Sequence, residues 1–321
     1  MPPSATTVRR RRLWIAAQFA FVGAVFVFLG FALKDAWVDA ASLIRDADVG
    51  DVVIATILLT AYYCMFVVGW QWILRALAVR VSYSAALQAE MASMLAKYVP
   101  GGIWTPAARV VWLKRTGTQA TTPLVLSSIL LEAGLSAVAG VLVFAVGVAL
   151  IGEADVPTLP LALFTIVIVV LLHPRIFRWL AAHVFRPFGG VELPPLPYRV
   201  LVGLLGFYAV SWLVGGAAFL FLVRAVGGDA GIEAIPFLGG TAAVGAIVAV
   251  LSVIAPSGLG VREGAMYGLV LAIASSGVAL GAVVLNRIAI TVVEGLLLLV
   301  GTLLWRRSRV RAESAGALGS T

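Results

Sequence analysis

Eight charged side chains lie inside long apolar stretches of this chain: Glu90, Lys97, Arg109, Glu132, Arg262, Glu263, Arg287 and Glu294. Left unpaired in hydrocarbon, each costs several kcal/mol or more, so charges placed there are retained for a reason. Four are cations and four are anions, the balance that mutual neutralisation in an interior requires. Their spacing is helical. Glu90 and Lys97 are seven residues apart, as are Arg287 and Glu294, and two turns of helix put each pair on one face. Ser128, Glu132 and Ser136 share a face, and Asn286 and Thr291 lie near the Arg287–Glu294 stripe. Arginine matches phosphate bidentately, and helix N-termini attract anions. The chemistry these residues suit is recognition of an anionic group, with Glu90, Glu132 and Glu294 holding the cations in place or coupling movement to a proton. Purely structural ion pairing between helices is the competing reading.

Two of these charges, Arg262 and Glu263, adjoin Pro256, Gly258, Gly260 and Gly264. Proline lacks a backbone donor and glycine adopts dihedrals that other residues avoid, so a helix entering this stretch breaks. A second break, Pro100-Gly101-Gly102, follows Lys97 and Tyr98 and precedes Arg109. Broken backbone at membrane depth is tolerated only where it is buried in protein or lines a wet cavity. A surface loop between two spans remains the alternative for 256–264. Arg109 and Lys97 flank the first break, where long side chains can also snorkel to an interface.

The elements that must carry these residues are apolar helices. Of 321 residues, 62% are hydrophobic and 12% charged, which is not the composition of a soluble domain. Apolar runs long enough to span a bilayer recur at about 13–33, 52–74, 124–151, 158–173, 200–224 and 280–305. The first follows Arg9-Arg10-Arg11-Arg12 and is too long for a signal-peptide core, so it reads as a retained span. Basic segments follow the second, fourth and last spans. The connection 34–51 instead carries five aspartates against Lys34 and Arg45. Lys and Arg are enriched in cytoplasmic loops, which places both termini in the cytoplasm of a multi-pass protein of the cell membrane.

Two apolar segments, 85–113 and 237–275, are left over, each interrupted by one of the breaks. Their second arms, about 103–113 and 261–275, are too short to cross comfortably. The expected fold is therefore all-α and polytopic: about six spanning helices plus two oppositely oriented re-entrant helical hairpins. Two short tilted spans in each place would leave the same end topology. The order span, span, hairpin, span occurs twice, at 13–151 and 158–305, starting on opposite faces. These form one membrane domain, with a basic cytoplasmic N-terminus at 1–12 and a polar cytoplasmic tail at 306–321 expected to be disordered. Pro100-Gly101-Gly102 pairs with Pro256-Ser257-Gly258, and Leu131-Glu132-Ala133-Gly134-Leu135 with Val293-Glu294-Gly295-Leu296. Inverted repeats with paired broken helices are the pattern of secondary transporters, with the site near the midplane.

The stretch Ala96-Lys97-Tyr98-Val99-Pro100-Gly101-Gly102-Ile103-Trp104, with Arg109 following, resembles the flippase-like family formed by the transmembrane region of lysylphosphatidylglycerol synthase/flippase proteins. Pro256-Ser257-Gly258-Leu259-Gly260-Val261-Arg262-Glu263-Gly264 resembles that family's second signature. The resemblance covers roughly 13–305. It implies a protein that moves aminoacylated phospholipid or polyprenyl-phosphate-linked sugar across the membrane. It carries Lys97, Tyr98, Pro100, Gly101, Gly102, Arg109, Pro256, Gly258, Gly260, Arg262 and Glu263 as motif residues. Full-length synthases append a soluble aminoacyltransferase domain, whereas 16 residues follow Trp305 here, so no lysyl-lipid synthesis is expected of these residues.

The expected activity is movement of a phosphate-bearing lipid through a buried Arg/Glu site, contacted by Lys97, Tyr98, Arg109, Arg262, Glu263 and Arg287. The partner is an anionic lipid headgroup rather than nucleic acid, because the net charge of +8 is placed as topology signals require. A lipid-modifying enzyme or glycosyltransferase partner is compatible with this. One cysteine, Cys64, rules out an intrachain disulfide, and no metal or cofactor motif is visible. The competing classes are a membrane-embedded lipid or glycan transferase, using paired carboxylates for acid–base work, and a scaffold for such an enzyme.

Overall fold

The computed structural model describes residues 34–96, 104–152, 196–251, 258 and 260–318. Nine α-helices and one 3-10 turn make up the described residues, with no strand among them. In chain order they are α1 (Lys34–Arg45), α2 (Val49–Ala76), α3 (Tyr83–Ala96), α4 (Trp104–Arg115) and α5 (Thr122–Ile151). Then follow α6 (Tyr198–Ala225), α7 (Ile235–Leu251), α8 (Val261–Val270) and α9 (Ser276–Leu318). Five stretches are long and apolar enough to cross a membrane: α2, α5, α6, Ile232–Val250 and Ser276–Leu304. The chain is a polytopic helical membrane protein.

Two of the long helices, α2 and α5, begin where a side chain satisfies a first-turn backbone donor. Asp48 accepts from the Asp51 amide at 2.9 Å to start α2. Thr121 does the same for Leu124 at the start of α5, with proline in the first turn. Both the inward and outward faces of these helices are apolar. Leu142, Val146 and Leu150 of α5, and Leu296, Leu299 and Leu303 of α9, point outward and exposed. Helices apolar all round belong in lipid, where the outward face costs nothing.

The shorter helices come in packed pairs. α3 lies against α4, and α7 against α8. At 10 residues α8 is about 15 Å long, well short of a bilayer core. α3 and α4, at 14 and 12 residues, reach about 21 and 18 Å. α7 is clamped between α5 and α6 by glycine. A Cβ on Gly216 of α6 would run into the Ile235 carbonyl oxygen, and one on Gly239 of α7 into that of Trp212. These helices approach backbone to backbone, as small residues allow in membranes. α2 and α6 pack along their length, and α9 crosses α1, α2, α3 and α6.

The four predicted spans that fall on described residues, the second, third, fifth and last, are present as α2, α5, α6 and α9. The spans at 13–33 and 158–173, and the break residues Pro100, Gly101, Gly102 and Pro256, lie outside the described residues. Two expectations need correction. The acidic connection 34–51 contains helix α1, because Ala36 and Ala40, one turn apart, are buried against α9 while Asp39 stays outside. The tail is not irregular throughout: α9 continues beyond its basic cluster to Leu318.

Candidate functional site

Two ionic clusters occupy the interior. The first gathers three helices. Arg109 of α4 forms ion pairs with Glu90 of α3 and with Glu132 of α5, one guanidinium nitrogen to each. Arg109 is 7% exposed and Glu132 5%. The guanidinium lies over the Trp70 ring of α2, 4.8 Å from its centroid. Trp70 is in turn fixed by donating its indole N–H to Ser128 Oγ at 2.9 Å. Arg109, Glu90, Glu132, Trp70 and Ser128 thus come together from four different helices, with Arg109 at the centre. Glu90 Oε2, Glu132 Oε1 and Arg109 Nε are buried without a hydrogen-bond partner, as is the Tyr208 hydroxyl of α6.

The second cluster is built on the start of α8. Gly258 and Gly260 have φ of 65° and 81°, the left-handed region in which glycine is the unstrained choice. The helical path that ends with α7 at Leu251 restarts at Val261. Glu263 secures the restart, accepting from the Gly260 amide through Oε2 at 2.8 Å. Its other oxygen, Oε1, faces Arg287 of α9 at 3.5 Å, and both side chains of this pair remain 23% exposed. Arg262, in the first turn of α8, is half-buried and makes no hydrogen bond or ion pair among the described residues. Its stem lies near α7, where a Cβ on Gly245 would come within 3.2 Å of Arg262 Cγ. Glu294 of α9 accepts from the Tyr63 hydroxyl of α2 at 3.0 Å.

An aromatic layer joins the clusters. Tyr62, Phe66, Tyr208 and Trp212 pack edge-on or tilted across α2 and α6, with ring centroids 4.8–5.8 Å apart.

Of the predicted site residues, Glu90, Arg109 and Glu132 come together, and Glu263 and Arg287 come together. Lys97 and Tyr98 lie outside the described residues. Arg109 does not snorkel: two carboxylates and an indole hold it in the interior. Helix-face spacing put Glu90 and Glu132 inward but not their partner, because that pairing is between helices. The face shared by Ser128, Glu132 and Ser136 is buried as expected, and Trp212 donates to the Ser136 carbonyl at 2.8 Å. Sequence reasoning missed Trp70, Tyr63 and Tyr208. Hydroxyl- and N–H-bearing aromatics in mid-span were the available signal, since such groups seek partners when buried.

Apolar spanning helices around a charged interior, with short paired helices set among them, define a polytopic membrane protein with a polar core. A family model described as the lysylphosphatidylglycerol synthase TM region matches residues 15–312, and the chain belongs to that family. No curated protein matches it.

Proposed function

We propose that this protein carries a phosphate-bearing lipid, a phospholipid or a polyprenyl-phosphate-linked sugar, across the cytoplasmic membrane. The reading rests on Arg262. It is a cation at the N-terminal turn of a short interior helix, half-buried, and its charge is not taken up by a carboxylate among the described residues. Helix N-termini favour anions, and guanidinium binds phosphate through two parallel hydrogen bonds. Arg287 supports the same headgroup, because its contact with Glu263 is long and partly wet and so exchangeable. Arg109, occupied on both sides, shapes the site without touching the lipid.

A cavity of about 430 Å³ between α3, α4 and α9, lined by Gln88, Met91, Ala108, Trp112, Leu298 and Gly301, suits part of a hydrocarbon chain. The short pairs α3–α4 and α7–α8 act as two re-entrant hairpins of an inverted repeat, and basic loops orient both termini to the cytoplasm. The protein is a carrier and not a transferase. Glu90 and Glu132 are both tied to Arg109 in a buried cluster, which argues against their acting as an acid–base pair on a donor lipid.

The test is a sealed-vesicle assay with fluorescent phospholipid and polyprenyl-phosphate probes. Wild type should move one class of probe between leaflets, and Arg262→Gln of equal thermal stability should not. Equal movement by both proteins would refute the assignment of Arg262. Turnover of a labelled lipid donor in detergent would favour the transferase, and an effect only in the presence of a partner enzyme the scaffold.

A further inference from the structure

The Glu90–Arg109–Glu132 cluster has a charge surplus that the lipid reading does not use. Two carboxylates share one guanidinium, so the cluster carries one uncompensated negative charge when both are ionised. Among the described residues, the surroundings do not cancel it. Trp70 of α2 lies against the guanidinium, the Tyr208 hydroxyl of α6 sits against Gly69, next to Trp70 in the chain, and both side chains are uncharged. α7 contains no charged residue. Arg262 of α8 forms no ion pair with either glutamate, and on α9 Arg287 faces Glu263 while Glu294 receives Tyr63. At the same place four buried polar atoms have no hydrogen-bond partner: one oxygen of each glutamate, Arg109 Nε and the Tyr208 hydroxyl. Glu132 and Tyr208 are each more than nine-tenths buried. A surplus charge and unpartnered oxygens in a dry interior are the features of a site that holds something small and positive.

We propose that this cluster binds a single monovalent cation, a proton or a sodium ion. A proton would come from bulk water and rest on one of the two free carboxylate oxygens. Sodium would take the same charge role with no bond formed or broken, the oxygens supplying its ligands. Either occupant leaves the ion pairs to Arg109 in place and brings the cluster to neutrality. Binding stands independently of the lipid reading; only its use to drive lipid movement rests on that reading.

The experiment is infrared difference spectroscopy on the full chain in lipid, which reads carboxyl groups and needs no transport. Wild type, Glu90→Gln and Glu132→Gln are compared during acidification without sodium, then during sodium addition at fixed pH. A proton site gives a protonated-carboxyl band equivalent to one group, lost in both variants and indifferent to sodium. A sodium site gives a saturable shift of carboxylate bands on sodium addition, lost in both variants. Each variant is read by itself, so misfolding of one leaves the other informative. Identical acid and sodium spectra in wild type and a folded variant would overturn the proposal. A chain that moves lipid yet shows no such bands would sink the cation site alone. A chain with the bands but no lipid movement would sink the carrier.

Discussion

The two ionic clusters use the same residue types to opposite ends. Around Arg109 every contact is direct and buried, and the cation has two anions and an aromatic face to itself. Around Arg262 the contacts are looser. The Arg287–Glu263 pair is stretched to 3.5 Å and partly exposed, and Arg262 has no carboxylate among the described residues. Burial accounts for the difference. A buried arginine needs carboxylates against it, because its desolvation is not otherwise recovered. A charge lining a wetter cavity can keep part of its bonding capacity for a visitor. In the first cluster the arginine is therefore a fixture, and in the second Arg262 is left open as a receptor for an anion.

The sharpest way to break this contrast is Arg109→Ala. It strands two buried carboxylates beside each other and should destabilise the protein by about 3–5 kcal/mol, read as a large loss of thermal stability in detergent. A mild effect would mean that the first cluster is wetter than its packing indicates. Next in size is Gly239→Ala, whose new methyl group meets the Trp212 carbonyl at the α6–α7 crossing. Overpacking of this kind costs about 1–3 kcal/mol in the same measurement. Tyr63→Phe removes the hydroxyl that Glu294 accepts from and should cost about 1 kcal/mol, with lipid movement retained. Arg262→Gln should have the smallest stability effect, within about 0.5 kcal/mol, since it breaks no ion pair among the described residues. Lipid movement should nevertheless be lost. A strongly destabilised Arg262→Gln would place Arg262 with the fixtures.

Much of this was legible in the sequence. Length and apolar composition located α2, α5, α6 and α9, since a membrane span must satisfy its own backbone and its outward face need only be apolar. Glycines at 258 and 260 marked the break before α8. The polarity of Glu90, Glu132, Glu263 and Arg287 amid apolar residues marked them as interior. What could not be read was the pairing. Periodicity says which residues share a helix face, but Arg109 meets Glu90 and Glu132 across three helices. Arg287 meets Glu263 from α8, although Glu294 lies on its own face. Helix α1 was hidden for a different reason. Its aspartates dominate the composition of 34–51, while the two alanines that seat it on α9 carry little signal.

The glycine crossings that hold α7 against α5 and α6 also say which parts of this molecule can serve as bearings. Backbones in contact have no side chains to re-pack, so these three helices form one rigid block. On the carrier reading, we propose that among the described residues the shorter pieces, α8 and the α3–α4 pair, move over that fixed block. On this hypothesis, a covalent cross-link between α6 and α7 leaves lipid movement intact, and one between α7 and α8 stops it.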